Sequence, residues 1–203
     1  QERELITKDA TIREIHHRVK NNLQTVASLL RIQARRSEST EAKASLEQAM
    51  RRVSAIALVH DTLSEGLSQD VNFDEIFDRV MMLASEVAAT HGTNVKTLLD
   101  GRFGQLKSSI ATPLAVALTE LVTNAVEHGL AERSGVVHVS SERKPKVLLI
   151  TVSDNGRGLP GGKVGTGLGT QIIKTLIEGE LRGTIHWFSP TEGGSRVSIE
   201  IPL

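Results

Sequence analysis

The sequence predicts two parts of different class: an α-helical hairpin over 1–66 and an α+β sandwich over 71–203, joined by a polar linker at 67–70. The hairpin is predicted by a stretch from Thr7 to Arg36 without Gly or Pro, in which Ile12, Ile15, Val19, Leu23, Val26 and Leu30 recur in steps of three and four, one stripe of a helix. The sandwich is predicted by helix-like segments mixed with short runs rich in Val, Ile and Thr, separated by Gly-containing turns.

Taken in order, the first helix spans about thirty residues, a rod of roughly 45 Å. Residues 37–41, SESTE, form the polar connection, with Ser39 or Thr40 as N-cap. Leu46, Ala49, Met50, Val53, Ile56, Ala57, His60 and Leu63 then repeat the helical period. Two helices leave much apolar surface open, so a second copy completing a four-helix bundle is expected. Beyond Gly66, a helix is predicted over 73–91, capped near Asp74, and a strand over 94–99. A helix follows over 109–129 with Pro113 in its first turn, then strands at 136–141 and 147–153. A helix over 167–178 and closing strands at 184–188 and 196–201 complete the chain.

Composition removes several classes. Lys+Arg and Asp+Glu are both 24, so no broad field favours nucleic acid or an anionic membrane. Without cysteine there are no disulfides and no thiolate zinc sites. Aromatic residues make up 2% of the chain, too few for base stacking. The charged start QERELITKDATIRE is unlike a signal peptide, and no apolar run approaches the roughly 18–20 residues of a membrane span. A cytoplasmic protein is expected.

Within the second part, Glu120, Asn124 and His128 are spaced four apart and share a helix face. An amide oxygen is a hard donor for Mg²⁺ and a carboxylate can polarise a nucleophile, although the same stripe also suits a solvated face. Asp154 closes a strand before Gly156 and Gly158. A carboxylate there can accept from an exocyclic amine, which adenine carries, while Asp-Asn-Gly also suits a plain turn. Gly165, Thr166, Gly167, Leu168 and Gly169 run into a helix whose backbone N–H groups can cradle phosphate.

The ordered set ELVTNAVEHG, DNGRG, GTGLG and GGSRVSIEIP resembles the Bergerat-type (GHKL) ATP-binding fold of histidine kinases, Hsp90, type II topoisomerases and MutL. The resemblance covers about 71–203 and implies ATP and Mg²⁺ as ligands. It implies Asn124 on the metal, Glu120 as catalytic carboxylate and Asp154 on adenine. Gly156 and Gly158 would shape the base pocket, and Gly165, Thr166, Gly167, Leu168 and Gly169 the phosphate lid. His128 stands where many kinases have Lys or Arg, so its charge near the phosphates depends on pH. Only residues 159–164 separate the two glycine motifs, with no Phe among them.

In the first part, with Ile12 at heptad position a, His17 falls at f and faces outward. Arg13, Lys20, Asn21 and Gln24 lie on nearby outward positions. The run His-Arg-Val-Lys-Asn-Asn-Leu-Gln from His17 to Gln24 resembles the phosphoacceptor helix of HisKA_2-class histidine kinases. The resemblance implies that His17 is phosphorylated from ATP and passes its phosphoryl group to an Asp on a response regulator receiver domain, those with an RNA-binding ANTAR output domain included. Arg18 stands where the better-known class has an acid, so the proton acceptor is either Glu14 or Glu120. Asn21, four residues after His17, is placed to orient water in a phosphatase step. The expected assembly is a cytoplasmic homodimer, the catalytic core of a larger kinase, with no direct nucleic-acid or membrane partner. The alternatives are an anti-sigma-type serine kinase and an ATP-gated dimerisation module.

Overall fold

The computed structural model describes residues 2–66, 69–130 and 133–203. Helix α1 (Glu2–Arg36) turns through three residues into α2 (Thr40–Glu65), and the Ser39 hydroxyl accepts from the Ala42 N–H at 3.2 Å, an N-cap worth ~1 kcal/mol. The stripe read from the sequence divides in two. Ile12, Val19, Leu23 and Leu30 are half-buried against α2, with Ala27 and Ala34 fully so, whereas Ile15 and Val26 stay exposed. Small residues at 27 and 34 allow the helices to approach closely, which a search for large apolar residues misses. Val59 and Leu63 of α2 join the core of the following layer.

Of the expected linker, residues 67 and 68 lie outside the described residues. Asp70 already belongs to β1 (Asp70–Asn72), which pairs antiparallel with β3 (Gln105–Lys107). Helix α3 (Phe73–Thr90) is capped by Asn72, whose side chain accepts from the Asp74 N–H. Asp74, expected as the cap, instead accepts from the N–H groups of Phe103 and Gly104 at 2.9 and 3.0 Å. That bond sets Phe103 between Phe73 and Phe77, with ring centroids 5.0 and 4.8 Å apart.

Strands β2 (Val95–Gly101), β4 (Gly135–Arg143), β5 (Val147–Asp154), β6 (Thr184–Phe188) and β7 (Ser195–Pro202) form one sheet in the order β2-β4-β5-β7-β6. Only the β2–β4 pair is parallel. Alternation decides the faces: Val137, Val139, Leu148, Ile150, Val152, Val197, Ile199 and Ile201 are buried in the same core as α3 and α4 (Ser108–Asn124). The opposite face carries His138, Ser140, Thr151, Ser153 and Ser198, all partly exposed.

Helix α4 begins one residue earlier than expected, so Pro113 falls in its second turn. It continues as a π-helical turn over Ala125–Gly129. The stretch Ser108–Gly129 is long and apolar enough to cross a membrane, contrary to the expectation that none is; 72% of its most apolar window is buried inside the protein, as a core helix requires. Helix α5 (Leu168–Lys174) likewise runs into a π-helical turn, Thr175–Glu180. Among the described residues no buried side-chain polar atom lacks a hydrogen-bond partner.

Candidate functional site

Helix α4 buries Leu114, Leu118 and Val122, and Glu120 and Asn124, four apart, share a face turned away from that stripe. The Thr119 and Thr123 hydroxyls are satisfied within the helix by the carbonyls of Ala115 and Thr119. The π turn that follows, closed by the Leu130 N–H on the Ala125 carbonyl at 2.8 Å, brings Gly129 beneath the end of β5. A Cβ on Gly129 would meet the Asp154 carboxylate, and one on Gly156 would collide with the Gly129 carbonyl. The Arg157 N–H donates to that same carbonyl at 2.9 Å. Glycine is required at both positions by close approach of backbone.

Asp154 ends β5 and is 8% exposed. Its Oδ1 accepts from the Gly156 N–H at 2.9 Å, and its Oδ2 from the Ser195 hydroxyl at the start of β7. Each oxygen keeps a second lone pair for an external donor. Asn155 is committed elsewhere: its Oδ1 accepts from the Val136 N–H at 2.8 Å and ties the loop to β4.

These groups open on a cavity of about 600 Å³, in the range of small-molecule sites. Its apolar wall includes Leu121, Val152, Trp187 and Val197, and Asp154 lies on it. Asn124, His128, Gly158, Gly165, Thr166, Gly167, Leu168 and Gly169 also line it. The lining combines apolar side chains, one acceptor acid and a glycine-rich helix start, which suits a purine carrying phosphates. Gly156 does not line the cavity; it holds Asp154. Ser195, Trp187 and Lys163 escaped the sequence reading. Ser195 lay inside a quoted motif, but its bond to Asp154 spans 41 residues.

Glu120 is not on the cavity wall. It is 4% exposed and is held by Arg52 of α2, whose Nε donates to Oε1 and whose Nη2 donates to Oε2 at 3.3 Å. Arg51 pairs with Glu127 at 3.0 Å. Neither arginine was singled out from the sequence, since the pairs span 68 and 76 residues.

On α1, His17 is exposed and His16 half-buried. His16 Nδ1 lies 3.0 Å from His60 Nδ1, one ring donating and the other accepting. Burial, and then the charge of His16, hold His60 below the usual imidazole range. Lys20, expected to face outward, turns to Asp61 at 3.0 Å and is largely covered, while Asn21 remains exposed. Glu14 is bonded to Arg18 at 2.9 Å, and that hydrogen bond and charge lower its pKa, which weakens it as a base. Both acids considered as proton acceptors are therefore engaged by arginines.

The pattern of the family described as "Histidine kinase" (HisKA_2) matches residues 14–88. That of the "Histidine kinase-, DNA gyrase B-, and HSP90-like ATPase" family matches residues 110–203. The sensor histidine kinase PdtaS of Mycolicibacterium smegmatis is 44% identical over the whole of this chain and 42% of its own length. PdtaS of Mycobacterium tuberculosis is 45% identical over the whole chain and 41% of its own length. The chain thus spans about two fifths of the length of these curated relatives. Among solved structures, the histidine kinase domain of the Erythrobacter litoralis EL346 blue-light activated histidine kinase aligns with a TM-score of 0.66 and 26% identity, covering 98% of this chain and 94% of that one.

Proposed function

The chain belongs to the histidine kinases, and on that premise we propose that it is the core of a two-component kinase that phosphorylates itself on His17 and hands the phosphoryl group to a response regulator. The observation that carries this reading is the separation of the two adjacent imidazoles: His16 is bonded to His60, while His17 stands exposed on a chain that also holds a cavity lined by Asp154 and the glycine loop.

In this reading the cavity binds ATP with the adenine amine donating to Asp154 and the phosphates on the loop from Gly165 to Gly169. Among the described residues there is no cluster of three or more His, Asp or Glu that could cage a metal. Mg²⁺ takes one or two protein ligands and completes its shell with phosphate and water; Asn124, on the cavity wall, would hold it. The ion would neutralise charge on the transferring phosphoryl group.

A neutral His17 ring nitrogen attacks the γ-phosphorus, the bond to the ADP oxygen breaks, and the other ring nitrogen releases its proton to a carboxylate. Glu120, once freed from Arg52, is the better acceptor, since Glu14 is stabilised as an anion by Arg18. The phosphoryl group then passes to an Asp of a receiver domain, a regulator with an ANTAR output being one candidate, and Asn21 orients water for the separate step that hydrolyses the aspartyl phosphate to free Asp and inorganic phosphate. The exposed apolar residues of α1 support a homodimer, and the lack of charge bias fits work in the cytoplasm without nucleic acid or membrane.

The test is incubation with γ-labelled ATP and magnesium. Acid-labile label on the protein, absent from His17→Gln and Asn124→Ala, is expected. Acid-stable label on a partner would replace this reading with a serine kinase, and nucleotide-dependent dimerisation without label would replace it with an ATP-gated module.

A further inference from the structure

We infer that Arg51 and Arg52 form a latch that parks the ATP-binding layer on α2 and keeps its carboxylate from His17; the inference rests on the kinase reading above. Gln48, Arg51 and Arg52 share one face of α2, three and four residues apart. Arg52 holds both oxygens of Glu120 in a fork. Seven residues on, Glu127 receives Arg51, and both of these side chains are less than a fifth exposed. Gln48 lines the nucleotide cavity beside Asn124. The hairpin thus grips α4 at two acids and supplies part of the cavity wall.

The position of the grip decides its meaning. The His16–His60 contact sets α1 against α2, so His17 lies near the level of His60. Arg52 is eight residues before His60, about 12 Å along the helix. While Glu120 is paired it is anchored that far down the bundle, on the helix that does not carry His17, with one lone pair of each oxygen committed to a guanidinium. Proton transfer from His17 to Glu120 requires the pair to open, Val59 and Leu63 to leave the core they share with the layer, and the layer to travel along α2.

The latch is also built to open. A carboxylate covered to this extent is costly to leave without its counter-charge, so loss of the arginine favours separation, in which Glu120 regains water. Any signal that rotates α2 and withdraws Arg51 and Arg52 has the same effect, and the coupling is reciprocal.

The experiment compares initial autophosphorylation rates and radii of gyration, the latter by small-angle scattering, for the wild-type chain, Arg51→Glu, Glu127→Arg, the double swap and Arg52→Gln. Each single charge reversal and Arg52→Gln should raise the rate about five-fold or more, in the range of typical couplings between sites, and enlarge the radius of gyration. The Arg51→Glu/Glu127→Arg double variant should return both to wild-type values. Unchanged or slower rates in the single variants, with unchanged radii, would overturn the latch. A wild-type chain that takes no label under any condition overturns the parent kinase reading, and the scattering series then decides the latch alone. Should Arg52→Gln fail to fold, the more peripheral Arg51–Glu127 swap carries the test.

Discussion

The α/β layer, with Val59 and Leu63 of α2, closes a core within one chain, and the hairpin does not. Phe73, Phe77, Phe103, Leu118, Leu148 and Ile201 are fully enclosed by α3, α4 and one face of the sheet. On α1, Ile15, Leu29 and Ile32 remain 53%, 60% and 53% exposed, with Val26 beside them. The first region is built to be complete in one copy. In the second, α1 has one face against α2 and a neighbouring face that nothing among the described residues covers. The difference teaches that two kinds of apolar stripe, one for the same chain and one for a partner, can be merged in a single periodicity.

Removing a ring from the closed core should have the largest effect. Phe77→Ala is expected to destabilise the α/β layer by about 3–5 kcal/mol, read by urea unfolding monitored through Trp187, the only tryptophan. A loss below 1 kcal/mol would mean that Phe77 is not packed into a closed core. The converse substitution, Val26→Glu with Leu29→Glu, should halve the mass found by light scattering while moving the Trp187 unfolding midpoint by no more than surface changes do, about 0.5 kcal/mol. If the wild-type chain is already monomeric, the contrast between the regions loses its explanation.

A smaller effect is expected at Ser195→Ala, which removes the hydroxyl donor to Asp154. A hydrogen bond to a charged group contributes about 1.5 kcal/mol, so ATP should bind roughly tenfold more weakly by calorimetry, with the fold intact. The mildest is a pH effect confined to the hairpin. His60 has its pKa lowered by burial and by His16, so below about pH 6.5 the unfolded chain takes up a proton more readily than the folded one. Stability present above that pH is lost as pH falls through the folded-state value. Lys20, Arg79 and the Asp61 carboxylate they pair with are the other charged groups beside this pair. Helicity of wild type should decline on acidification through this window, and His60→Gln should flatten the profile.

Most of the sheet and all the long helices were legible because alternation and the helical period are local. Val137, Val139, Ile150 and Val152 announce their face within a few residues, and Ser39 its cap. What stayed hidden was non-local or small. Strands β1 and β3 have three residues each, too short to show a period. Ala27 and Ala34 pack tightly because they are small, not because they are greasy. Of the candidate nucleotide residues, those on the glycine loops and on α4 could be placed by motif, whereas Arg52 on Glu120 and Ser195 on Asp154 depend on how distant elements meet. The π turn after Asn124 follows no pattern of residue types that the sequence displays.

The crossing of Gly129 and Gly156 has a mechanical consequence. No side chain cushions that joint, so the end of α4 and the loop that orients Asp154 must be displaced together. Glu127, gripped from the hairpin, sits two residues from the joint. On the proposed role of Asp154, tension on α2 should therefore alter discrimination between adenine and guanine.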